Sequence, residues 1–151
     1  MSSAQTSSIW ITAILKKYLG CQFCLKKQFE DIPRTYLFTG DRCRKGFHLN
    51  MLNMSLLKAE NRKEFLSDEE RCLDKFPLTD EQRKCVLKQD YLGMVKAGGN
   101  IYYVLKIGAT DGKSFQYMVG AMTGVSLEEY RKMMVDGGRS IEGNRSNSEK
   151  Q

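Results

Sequence analysis

A chain of 151 residues is long enough for one domain with a true core, and 41% apolar with 28% charged residues is the balance of an ordinary folded protein. The formal charge of +6 does not mark a nucleic-acid binder: Lys16, Lys17, Lys26 and Lys27 against Glu30 place +3 of it in the first thirty residues, and no basic stripe interleaved with aromatics follows. Five cysteines with one CxxC pair, Cys21 and Cys24, leave no second pair to complete a four-thiolate metal site, so the pair reads as two thiols on a lysine-rich segment in a reducing compartment.

In chain order, residues 9–19 (IWITAILKKYL) lack a preceding positive charge and a small-residue cleavage site, and are too short to cross a bilayer. Ile11, Ile14, Leu15, Tyr18 and Leu19 fall at helical spacing, which predicts a short amphipathic helix in a cytoplasmic protein. Residues 31–46, with a proline and two glycines, are expected to be irregular. Residues 47–66 read as one helix with Phe47, Met51, Met54 and Leu57 on its apolar stripe.

Three capping boxes are then predicted, in which a hydroxyl accepts a free amide and a Glu or Gln three residues on reaches back: Ser67 with Glu70, Thr79 with Gln82, and Ser126 with Glu129. The second opens one long helix that places Leu87, Tyr91, Met94 and Val95 on one face and ends at Gly98 and Gly99. The third carries Val125 and Tyr130 as a hydrophobic staple and stops at Gly137 and Gly138.

Between them, NIYYVLKI mixes strand-forming residues with helical spacing of Ile101, Val104, Leu105 and Gly108, and is read as helix. The following GATDGKS imitates a phosphate-binding loop, but that loop needs four residues between its first glycine and Gly-Lys-Ser, and Gly108 and Gly112 enclose three. The 39 residues beyond Gly112 also leave no room for the strands of a nucleotide-binding sheet. The better reading is a helix capped by Ser114, with Phe115, Met118, Val119 and Met122 on one stripe and Gly124 as its stop. Glycines 98, 99, 108, 112, 120 and 124 are expected where backbone passes close to another group. The tail after Gly137 is polar and aperiodic.

The chemistry is sparse. One histidine, His48, rules out His-rich metal sites and histidine-pair catalysis, and near a helix start it reads as structural. The carboxylates lie where capping and solvation explain them, and no acid and base couple stands out. Tyr102 and Tyr103 beside Asn100, and the cluster Arg42, Arg44 and Lys45, are the remaining candidates for ligand contact. From the residues, the chain is helical, catalytically bare and suited to be a subunit.

Three strings, RCRKGFHLNMLNMSLLKAENRKEF, GGNIYYVLKIGATDGKSFQYMVGAMTG and EEYRKMMVDGGRSIEGNRS, closely resemble the small, alpha subunits of the protocatechuate 4,5-dioxygenase type, which are class II extradiol ring-cleaving enzymes. The resemblance runs in order from about residue 31 to residue 145. It implies a mostly helical small subunit, and with the residues outside it the chain reads as an all-α, orthogonal multi-helix small subunit with an irregular N-terminal segment and a polar C-terminal tail, divided as 1–30, 31–138 and 139–151. It implies a beta-subunit partner in an alpha2beta2 heterotetramer, Fe(II) held by that partner through two histidines and a carboxylate, and a catecholic acid and O2 as the reactants, with no nucleic acid and no membrane involved. The alpha subunit then encloses the substrate pocket of the partner. Carried to this sequence, Phe115 lines the entrance with Lys113 and Ser114 beside it, and Asn100 and Tyr103 are weaker members of the same wall. Phe115 as helix core is the competing reading. Gallate or another catechol as substrate, and a stand-alone helical interaction module, are the alternatives for the whole chain.

Overall fold

A computed structural model describes Ile32 and residues 35–139, and the helix expected at 9–19, the CxxC pair and the polar tail beyond Arg139 lie outside them. Residues Phe38–Arg139 form one compact unit. Among the described residues there are nine helices and no strand: α1 Gly40–Lys45, α2 Phe47–Ser55, α3 Ala59–Ser67, α4 Glu69–Leu73, α5 Asp80–Leu87, α6 Tyr91–Lys96, α7 Ile101–Thr110, α8 Phe115–Thr123 and α9 Leu127–Val135. The all-α reading therefore holds, and NIYYVLKI is helix.

The helix starts are set by local hydrogen bonds. Thr79 Oγ1 accepts from the Gln82 amide at 3.2 Å while Gln82 Oε1 accepts from the Thr79 amide at 3.1 Å, and Ser126 with Glu129 repeats the exchange at 3.2 and 2.8 Å. Asn100 caps α7 and Ser114 caps α8. The first box, Ser67 with Glu70, does not form. Ser67 ends α3 by donating to the Glu64 carbonyl at 2.8 Å, and Asp68, a stronger acceptor one residue later, caps α4 through the Arg71 amide at 3.0 Å.

Three longer expectations are corrected. Residues 40–45 are helical, because Thr39 accepts from the Arg42 amide and Asp41 sits favourably in the first turn. The helix read over 47–66 breaks at Leu56, where Asn61 and Arg62 of α3 turn back to donate to the Ser55, Leu56 and Leu57 carbonyls. The helix read from Thr79 to Gly98 breaks at Gln89, which adopts a left-handed φ of 52°, and Asp90 starts a new helix by accepting from the Gly93 amide. Leu87 consequently lies exposed, whereas Tyr91 and Met94 are buried.

The core consists of Leu49, Leu52, Leu56, Phe65, Cys72, Leu73, Val86, Tyr91, Met94, Val104, Ile107 and Met118. It uses the face of α2 opposite to the expected one, since Phe47, Met51, Met54 and Leu57 are all exposed. Within the unit α7 packs against α2, α6 and α8, and α9 packs on α8. Two buried amides tie the start of α2 to the turn between α6 and α7. Gln82 Nε2 donates to the Lys45 and Ala97 carbonyls at 3.0 and 3.2 Å. Asn50 donates to the Gly98 carbonyl at 3.2 Å and accepts from the Asn100 amide at 2.7 Å. The backbones meet so closely here that a Cβ on Gly46 would stand 1.9 Å from Gly98 O. Gly98, Gly99, Gly108 and Gly120 thus meet the close-approach expectation, but Gly112 and Gly124 face open space and serve their positive φ instead.

Candidate functional site: the α7–α8 corner

The segment that imitates a phosphate loop is a helix-to-helix corner. Asp111 ends α7, Gly112 turns the chain at φ 72°, and the Lys113 amide closes α7 by donating to the Gly108 carbonyl at 2.8 Å. Ser114 then starts α8, its hydroxyl taking the Tyr117 amide at 3.2 Å and its carbonyl the Met118 amide at 3.1 Å. The amides of Gly112, Lys113, Tyr117 and Met118 are committed to these turns and caps.

Capping directs the side chains. Phe115, at the first position of α8, is 58% exposed and is not part of the core. The stripe it was expected to share is buried only from Met118 onward, with Val119 and Met122 partly buried. Lys113 Nζ lies 5.2 Å from the centre of the Tyr117 ring, a cation–π pair on the same exposed corner. Lys113, Ser114, Phe115 and Tyr117 therefore form one small surface with an apolar ring, a second aromatic and a cation. Asn100 and Tyr103 do not join it. They stand at the other end of the ten residues of α7, about 15 Å along its axis by helix rise. The Asn100 carboxamide oxygen is occupied in capping the Tyr102 amide at 3.0 Å. Tyr102, also at that end, is the more exposed of the two tyrosines.

Behind the corner lies a titratable group that sequence reading missed. Gln89 Nε2 donates to Asp111 Oδ2 at 2.9 Å. Burial pushes the Asp111 carboxyl above its ordinary range, with Lys113 opposing. Burial likewise raises Glu69, to which the charge of Asp111 adds, and raises the hydroxyl of Tyr91, again with Asp111 adding. Tyr91 Oη is buried without a hydrogen-bond partner. These residues are separated by up to 42 positions, and no spacing in the chain announces their meeting. Tyr117 was legible in principle, as an aromatic in the first turn of the helix that Ser114 caps, four residues beyond Lys113.

His48 is exposed and meets Phe47 edge-on, with ring centres 5.2 Å apart. Among the described residues no group of three or more His, Cys, Asp or Glu side chains is placed to hold a metal ion. They do not fit an Fe(II) centre, and no step of ring opening is assigned to them. No helix among them is long and apolar enough to cross a membrane.

Compared with known proteins, residues 49–135 match the LigA subunit of the aromatic-ring-opening dioxygenase LigAB, a span that includes the whole corner. Over 103 residues the chain is 29% identical to a gallate dioxygenase of Pseudomonas putida, covering 68% of this chain. The matched region spans only 30% of that relative's length.

Proposed function

The chain belongs to the family of LigA subunits of the aromatic-ring-opening LigAB dioxygenases, and from that premise we propose that it works as the small subunit of an extradiol enzyme whose large subunit carries the Fe(II) site. In this reading the α7–α8 corner covers the partner's pocket and lines the way in for a catecholic acid. The observation that carries it is the placement of Phe115, a large apolar ring 58% exposed at a helix start inside the family-matched span. Most of this ring stands clear of the chain's own packing, and it gains contact area when another surface covers it.

The chemistry of the corner suits the task. The Phe115 ring excludes water from a pocket mouth, which strengthens the electrostatics inside it. The Lys113 ammonium, held over Tyr117, draws an anionic aromatic acid toward that mouth. Iron, when bound by the partner, supplies the activation of catechol and O2, and this chain contributes enclosure. The ring opening yields a muconate semialdehyde when both oxygen atoms add across the bond beside the two hydroxyl-bearing carbons. Protocatechuate is the proposed substrate. Gallate is the second reading, favoured by the Pseudomonas putida relative.

Oxygen uptake by the assembled enzyme over a panel of catecholic acids distinguishes the two. In the same complex, Phe115→Ala is expected to raise KM by roughly 2–10-fold, the scale of a lost aromatic contact of about 0.5–1.5 kcal/mol. Assembly and the melting temperature should not move. Unchanged kinetics would remove Phe115 from the pocket mouth.

A further inference from the structure

Helix α2 carries apolar residues on two opposite faces, with His48, Asn50, Asn53 and Ser55 between them. Residues 46–57 contain no charged side chain, in a chain that is 28% charged. Leu49, Leu52 and Leu56 fill the core at 0–1% exposure, while Phe47, Met51, Met54 and Leu57, spaced four, three and three apart, form a second stripe at 39–57% exposure. A helix with two apolar faces leaves one of them in water unless something covers it, and an exposed apolar stripe of this kind is often a functional surface.

We infer that this outer stripe of α2 is the surface through which the chain docks on its large subunit, an inference that rests on the small-subunit reading above. The area argues for the occupant. At ~200 Å² for a large side chain, the four residues leave roughly 400 Å² open, half of the ~800 Å² per partner that a standard interface buries. Two copies of this chain meeting through the stripe alone fall short of a stable pair. A larger chain that runs past the stripe makes up the difference, and its path is marked. The Asn100 amide donates to Asn50 Oδ1 at 2.7 Å, which sets the first turn of α7 against α2, and Ile101 and Tyr102 of that turn are exposed as well. The gallate dioxygenase relative carries its matching region within a chain more than three times as long, where the remaining polypeptide is tethered beside it at high effective concentration.

The test is co-expression of the full chain with its large subunit, purification through a tag on the large subunit, and quantification of the small chain recovered. Met51→Glu with Met54→Glu is expected to lower recovery at least tenfold. Leu66→Glu, at an apolar site on α3 more exposed than either methionine, should stay within about twofold of wild type. Met54→Gln, which keeps length and helix preference, should give an intermediate loss, so that the result does not depend on the folding of the double variant. Wild-type recovery by both stripe variants overturns the inference. If their melting temperature falls at the same time, the stripe is covered by the chain's own remaining residues; if a wild-type dimer dissociates instead, it is covered by a second copy. Failure of the unaltered chain to co-purify with the large subunit brings down the small-subunit reading itself, a result distinct from failure of the variants alone.

Discussion

At Asp111 several demands meet on one carboxylate: it ends α7, accepts from Gln89, and shares its surroundings with Glu69 and the Tyr91 hydroxyl. Because burial raises both acids above their ordinary values of 3.8 and 4.5, the folded chain holds these protons more tightly than the unfolded one. Their contribution to stability is therefore full below the ordinary values and is lost as pH rises through the raised, folded ones. Glu129 runs the other way: hydrogen bonds from Ser126 lower it, so its contribution is present above the ordinary 4.5 and lost as pH falls. Asp111→Asn keeps an acceptor for Gln89 and removes the charge. It is expected to melt above wild type at about pH 7, with the difference closing toward about pH 4 as the wild-type carboxyl protonates. Thermal unfolding followed by circular dichroism across that range checks the sign; a lower melting temperature at neutral pH would show that the charged bond to Gln89 outweighs desolvation. Tyr91 was legible only as part of an apolar face, and its meeting with Asp111, Gln89 and Glu69 was not, because burial of a carboxylate depends on which helices converge on it.

Among the elements, α7 and α8 show how a corner fixes a helix pair. A Cβ on Gly108 would lie 2.0 Å from Met118 Sδ and 3.2 Å from a ring carbon of Tyr91, so the three residues interlock. Gly108→Ala is expected to destabilise by about 1–3 kcal/mol, which in a domain of this size lowers the melting temperature by about 4–8 °C per kcal/mol. In a Met118→Val background the same change should cost less, since the thioether that would clash is gone. Strict additivity in this double-mutant cycle would mean that Met118 swings aside freely. The caps at Thr79, Ser114 and Ser126 belong to this scale too, and they were readable because donor and acceptor lie within three residues of each other; Asn100, read as part of the pocket wall, caps α7 by the same device. The breaks at Leu56 and Gln89 were not. Neither carries a proline or glycine; one is sealed by Asn61 and Arg62 from the next helix, the other by a left-handed glutamine.

For the molecule as a whole, stability is shared by one core that runs from α2 to α8. Leu52 is fully buried within it, and Leu52→Ala should cost about 2–5 kcal/mol, a large part of the 5–15 kcal/mol typical of a domain. Coincident loss of helical and aromatic circular dichroism during denaturation checks that the helices go together; separate transitions would show that α9, packed on α8, melts independently. Helical class, the caps and the scarcity of metal donors were written in composition and short-range spacing, because a helix and its cap are built from neighbours in the chain. Which side of α2 faces inward was not. Leu49, Leu52 and Leu56 and the stripe of Phe47, Met51, Met54 and Leu57 both repeat at helical spacing, so periodicity alone cannot choose between them. Packing against α7, with Asn50 and Gln82 tying the distant turn at Gly98 to the start of α2, makes the choice, and it leaves the second stripe and the Phe115 ring facing outward.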